Sequence, residues 1–363
     1  MPRSSPAGGL SLQQPLIAAR AAEKKENDDA EAGATVLQTA LNMLNELEGS
    51  GLLGMPYALR LGGWASIPCL GAVGGMAGFT GWALAKCMYD ENGERVRDSY
   101  RGVGEACFGR AGDRAVVAVQ MANLCSVGVV YLVLVASTMH GLLPLLLESD
   151  GHGAYTDQRL WTLIATCAVL PTVHIGGYRK LSALSALGVL CLTAVFVLGV
   201  SFSLARVSSD GTARLPTDQT LSDLPAAFSM FVFAFSAHGI FPDLEASMAS
   251  PAAFPRVVSV VFVTNIVVKV VFALAGYLAF GAETAEVLAS SLPVTPRAIV
   301  SVLVVANTWL SFPLPLVPVF RTLRCNHGQG AGAIHSEARQ ALTRTAVVLA
   351  CGAIGVLIPS FAL

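Results

Sequence analysis

The chain has 363 residues, of which 54% are apolar and only 13% charged, and its formal net charge is −1. A soluble domain carries about a quarter charged residues, so most of this surface faces lipid, which excludes a soluble enzyme. No global basic field exists to attract nucleic acid, and the eight cysteines form no Cys-x-x-Cys or Cys/His cluster at metal-ligand spacing.

The first 33 residues, through Gly33, mix Ala, Pro, Ser and alternating charge without an apolar run long enough for a signal peptide. They read as a disordered cytosolic tail ahead of a transmembrane domain over 34–363. A helix needs roughly 20 apolar residues to cross the hydrocarbon core. About nine stretches qualify, at 35–61, 64–89, 115–147, 159–175, 181–205, 222–247, 256–281, 294–320 and 341–361, with short polar loops between them. Counted from a cytosolic amino terminus, the inward loops collect Arg95, Arg97, Arg101, Arg110, Arg114, Arg179, Lys180, Arg256, Arg321, Arg324, Arg339 and Arg344. The outward loops hold few bases among many carboxylates, so the positive-inside rule places the amino terminus in the cytosol.

The first span crowds Gly49, Gly51, Gly54 and Pro56 into its middle, and the sixth is interrupted by Gly239, Pro242 and Asp243. Such residues break a helix, and freed backbone groups at membrane depth are tolerated only where they line a cavity or are buried in protein. Spans one and six are five apart, the spacing of two inverted five-helix repeats, and interrupted segments at matching positions point to a transporter's binding site. The expected fold is therefore an all-α membrane bundle of inverted repeats with broken first and sixth helices.

At the first break, the amides after Gly49 and Ser50 lack helical partners, and the new helix start carries about half a positive charge, which suits a substrate carboxylate. The open carbonyls opposite suit a cation or an ammonium, so Glu48, Gly49, Ser50, Gly51 and Leu52 form the leading site. Gly51 equally suits close helix packing. Glu48 is an ionisable group inside a span, which marks it as functional, whereas Glu46 points elsewhere on the helix. Asn45, three residues before Glu48, is placed either to contact solute or to bridge helices. At the second break stand Phe235, Ser236, Ala237, His238 and Gly239, followed by Asp243 and Glu245. His238 is the candidate proton carrier, or an interhelical hydrogen-bond donor; Asp243 is a second ion-coupling candidate, or a cap on the second half-helix. Lys269, Asn307 and Ser311 are further polar intrusions into apolar spans. The sequence carries no Walker P-loop, selectivity-filter or protease signature, which leaves ion-driven transport without a cofactor, the coupling ion being a proton or sodium.

The run LNMLNELEGSGLLGMPYALRLGGW, the run FSAHGIFPDLEASM, GYLAFG at 276–281 and the weaker match SFPLPLVPVF resemble the amino acid/auxin permease family, particularly its vesicular and vacuolar branch. The resemblance implies a LeuT-like fold with solute between the unwound centres of spans one and six, at Gly49 to Leu52 and Phe235 to Gly239. It implies an amino-acid substrate carried by alternating access across a vacuolar or vesicular rather than plasma membrane, with proton coupling; protein partners are left unknown. Glu48 departs from the small or uncharged residue expected there, which opens a cationic substrate. The family's members usually have about eleven spans, so the carboxyl end, at PSFAL, reads as truncated. The alternatives are a transporter-like amino-acid sensor without net flux and a sodium-coupled symporter.

Overall fold

The computed structural model describes residues 33–49, 51–146, 157–175, 177–216, 223–325 and 333–358, so the tail through 32 and Ser50 lie outside the described residues. Helices dominate. They are α1 (Val36–Glu48), α2 (Met55–Gly62), α3 (Ser66–Lys86), α4 (Tyr100–Leu146), α5 (Gln158–Val169), α6 (Tyr178–Asp210), α7 (Leu224–Ala234), α8 (Phe241–Ala246), α9 (Phe254–Phe280), α10 (Leu288–Ser291), α11 (Val294–Ser311), α12 (Pro313–Cys325) and α13 (Ala333–Leu357). Among the described residues, pairing in the β manner is confined to two isolated bridges, Ala34 with Met248 and Tyr89 with Arg95.

Among the described residues, seven segments are long and apolar enough to cross a membrane: 55–86, 100–142, 178–210, 224–246, 251–283, 294–324 and 338–357. α1, the first half of the expected first span, and α5, within the expected fourth, have 13 and 12 residues and fall short of that length alone, while α2, the second half of the first span, is joined to α3 in the segment 55–86. The range of α4 holds two helices that meet at a kink, where Phe108 (φ −135°, ψ 15°) and Gly109 (φ +59°, ψ −149°) leave helical geometry. The long helix starts just after Gly109, close to the expected 115, and the residues before the kink form a separate short helix in the basic stretch that reads as a loop.

Two long helices turn apolar stripes outward and bury small or polar residues among apolar ones, an arrangement suited to lipid, where no hydrophobic force drives one apolar face onto another. On α9 the outer stripe is Val260, Val263, Val267 and Val271, while Val261, Asn265, Lys269, Phe272 and Gly276 are buried at the same helical spacing. α6 exposes Leu187, Leu190, Val197 and Leu204 and buries Ser185, Gly188, Gly199 and Ser203. Small residues let backbones approach: a Cβ on Gly276 would stand 2.6 Å from Pro56 of α2, and one on Gly188 would stand 2.4 Å from Asn45 of α1.

α1 lies against α6, α9 and α12, α6 also packs on α11 and α9, and α2 and α3 pack on α7. α1 is thus packed among other helices, whereas α7 buries only Ala227, Phe231 and Ala234 and exposes Phe228, Val232 and Phe233. Thr35 caps α1 with a capping box, accepting from Gln38 N at 3.2 Å while its own N–H donates to the Gln38 side chain at 2.9 Å. Ala34 donates to Ser247 O at 2.6 Å and accepts from Ala249 N at 2.9 Å, which ties the start of α1 to the end of α8.

Candidate functional site

α1 stops at Glu48, where Gly49 follows with φ −40° and ψ −89°, and α2 begins at Met55, with Pro at its second position. Between them Leu52 and Leu53 are buried, and Gly51 is pressed on the last turn of α7, where a Cβ would lie 2.8 Å from that of Ala234. α7 in turn stops at Ala234. Phe235, Ser236 and Ala237 follow outside any α-helix before the 3-10 turn His238–Ile240 and α8. The two helix ends therefore face each other in the bundle interior.

Lys269 of α9 is fully buried beside the end of α1. Its Nζ donates to Leu47 O at 2.9 Å, donates to the Asn265 side-chain oxygen, and lies 3.5 Å from Glu48 Oε2. It also stands 5.1 Å from the centre of the Phe235 ring. A cation at a helix carboxyl terminus is favoured by the unpaired carbonyls there, and a ring face adds to that attraction when water is excluded. Glu48, Leu47 and Phe235 thus converge on one ammonium.

Asn45 is also buried, and its side-chain oxygen accepts from Asn307 Nδ2 at 3.0 Å and Ser311 Oγ at 3.0 Å, both on α11, while Asn307 also donates to Gly188 O at 3.1 Å. Asn42 donates to Tyr178 O at 3.0 Å. Around these bonds several buried polar atoms have no hydrogen-bond partner among the described residues: Asn42 Oδ1, Asn45 Nδ2, Glu46 Oε2, Glu48 Oε1, Tyr178 Oη and Asn265 Nδ2. Buried polar groups are rarely left unpaired, so the free atoms of Glu48 and Asn265 at the Lys269 ammonium, with Asn45 one turn earlier on α1, mark a place for water or a polar ligand.

The second break distributes its residues differently. His238 Nε2 lies 2.9 Å from both Ala77 O and Thr80 Oγ1, so the imidazole bridges to α3. Gly239 O accepts from Gln120 of α4 at 2.6 Å. Asp243 pairs with Arg321 of α12, and Glu245 accepts from the Tyr89 hydroxyl and pairs with Arg95 at 2.8 Å. These pairs gather at the end of the bundle where α1 starts. Tyr89 lies beyond the apolar stretch of α3, and burial together with its bond to Glu245 pushes its phenol up to about 12.

Of the sequence-identified residues, Glu48, Gly49, Gly51, Leu52 and Phe235 come together at the facing helix ends, and Asn45 borders them. His238 and Asp243 are engaged with α3 and α12, and Ser50 lies outside the described residues. The structure adds Asn265, Tyr131 and Tyr178 to these residues. Asn265 precedes Lys269 by four residues, the spacing of one helix face, which is a signal that could have found it; the tyrosines give no such signal.

The chain is 31% identical over 300 residues to the vesicular inhibitory amino acid transporter of Xenopus tropicalis, covering 80% of this chain and 56% of that protein. It is 31% identical over 288 residues to amino acid transporter AVT1C of Arabidopsis thaliana, covering 79% of this chain and 52% of that one. The chain thus spans about half the length of the curated relatives it matches. Its fold matches MhsT crystallised with L-phenylalanine at a TM-score of 0.60 and 16% identity, over 91% of this chain and 81% of MhsT. The family model described as transmembrane amino acid transporter protein matches residues 32–363, and the chain belongs to that family, one of transporters rather than enzymes.

Proposed function

We propose that the chain is a secondary active carrier that moves amino acids by alternating access across a vesicular or vacuolar membrane, driven by protons. In this reading nine segments cross the membrane, the first as α1 and α2 and the sixth as α7 and α8, and the amino terminus is cytosolic. The relatives' names support an amino-acid solute and a vesicular membrane.

The observation that carries the reading is the buried Glu48–Lys269 pair at the facing ends of α1 and α7, where Glu48 Oε1 and Asn265 Nδ2 lack partners. An amino acid is a zwitterion and presents the same two charges. Its carboxylate can replace Glu48 against Lys269, and its ammonium can take Glu48 and the carbonyl end of α1, so the pair opens without leaving either charge uncompensated. The unpartnered Asn45 Nδ2 and Asn265 Nδ2 supply further donors to a carboxylate. Protons are favoured over sodium because the oxygens of Leu47, Asn265 and Glu48, a donor set suited to a small cation, already surround the tethered ammonium of Lys269. Amino-acid carriage makes a neutral rather than cationic solute the better match, because Lys269 answers Glu48.

The test is counterflow. Proteoliposomes loaded with a mixture of unlabelled amino acids should take up a labelled one from the same mixture, and Lys269→Met should abolish the exchange. Exchange that survives Lys269→Met at the wild-type rate removes the pair from the solute path.

A further inference from the structure

α1 carries a second carboxylate that the Glu48–Lys269 pair does not use. Glu46 Oε2 is sealed from solvent and has no hydrogen-bond partner among the described residues. Glu46 lies two residues from Glu48, so about 200° of helical turn points the two side chains to different faces. Tyr131 of α4 and Tyr178 of α6 both lie within electrostatic reach of Glu46 and are themselves buried. Tyr131 Oη stands 2.9 Å from where a Cβ on Gly49 would be, next to the end of α1, and Tyr178 Oη is another buried atom without a partner.

We infer that Glu46 is the carboxyl that takes and releases the coupling proton, in the neighbourhood of Tyr131 and Tyr178. The inference rests on the reading of the chain as a proton-driven carrier and names the residue that couples it. Two cations on the helices that pack on α1 are paired with other carboxylates. Lys269 of α9 holds Glu48, and Arg321 of α12 holds Asp243. No cation among the described residues answers Glu46, so in a closed site its charge is compensated by a proton. When the pathway opens, water reaches the carboxyl and the proton leaves; the carboxylate takes it back from water on the other side. Because Tyr178 O also holds Asn42, protonation at Glu46 and the seating of α1 on α6 meet at one residue.

Two measurements on the full chain in lipid test this. In infrared difference spectra taken across a pH titration, a protonated-carboxyl band should appear in the wild type, vanish in Glu46→Gln, persist in Glu48→Gln and Asp243→Asn, and move its midpoint in Tyr178→Phe. In proteoliposomes, Glu46→Gln should keep counterflow of the labelled amino-acid mixture but lose about tenfold or more of accumulation under a pH gradient, with Glu46→Asp restoring it. A band that survives Glu46→Gln, or wild-type accumulation by that variant, overturns the assignment. Loss of counterflow together with accumulation overturns it as well, by making Glu46 part of solute binding. If Glu46→Gln does not fold, an unmoved midpoint in Tyr178→Phe overturns it. A Glu46-dependent band in a protein that shows no exchange at all would refute the carrier reading and leave the proton site standing.

Discussion

Replacing Lys269 by Met isolates the energetics of the central pair. Met keeps most of the side chain's volume and removes the charge, leaving Glu48 buried with both carboxylate oxygens unanswered, since Oε1 already lacks a partner. At the 3.5 Å separation and an effective dielectric of about 20, the lost attraction is about 5 kcal/mol. Removing one member of a buried pair costs about 3–5 kcal/mol because the survivor stays desolvated, whereas replacing both is often near neutral. Lys269→Met should therefore lower the thermal midpoint of the purified protein in detergent markedly. Glu48→Gln should lower it as well, because it strands the ammonium, though Leu47 O and Asn265 still hold Nζ. The double variant should be more stable than Lys269→Met alone. Midpoints read by tryptophan fluorescence, with binding of the amino-acid mixture measured in parallel, give the ranking. Additive losses, with the double variant the least stable of all, would refute a coupled pair.

Three further outcomes follow from other parts of the structure. Gly51→Val should abolish counterflow, because a Cβ there meets Ala234 at 2.8 Å and forces the two helix ends apart; Gly71→Ala, with nothing within 4 Å, should transport normally. Arg321→Ala frees Asp243 at the end where α1 starts, and should raise the labelling rate of a cysteine placed at Ser247 by a membrane-impermeant maleimide; an unchanged rate would show that the pair does not hold that end shut. The Tyr89 phenol is held up at about 12 by burial and by Glu245, above its ordinary value near 10. Its contribution to stability is then complete below about pH 10 and lost as pH rises through about 12, so the wild type should lose stability over that interval and Tyr89→Phe should not.

The lipid-facing character of the molecule was open to reading in the sequence because it depends on composition and on runs of about 20 residues. Both are local properties. The stripe of Val260, Val263, Val267 and Val271 on α9 also shows its lipid face in the spacing alone. The short helix before the kink at Phe108 and Gly109 was not legible: Arg101, Arg110 and Arg114 give its surroundings the composition of a loop, and the ion pair that ties Arg101 to Asp113 across the kink links residues twelve apart. Lys269 was visible as an intrusion, but its partner was not. Glu48 lies 221 residues earlier, and only the packing of α1 on α9 brings them together. His238 shows the reverse. Its type and place beside a break suggest the centre of the bundle, yet the imidazole's bonds go to Ala77 and Thr80 on α3, because the 3-10 turn after Ala237 sets its direction.

The central claim is tested most directly by uptake into proteoliposomes that contain the purified chain and receive a mixture of labelled amino acids under an imposed pH gradient. The account predicts accumulation above the external concentration, collapse of that accumulation on adding a protonophore, and no requirement for sodium. Uptake that needs sodium and ignores the protonophore would contradict the proton coupling, and the absence of any gradient-driven uptake or counterflow would contradict the carrier itself.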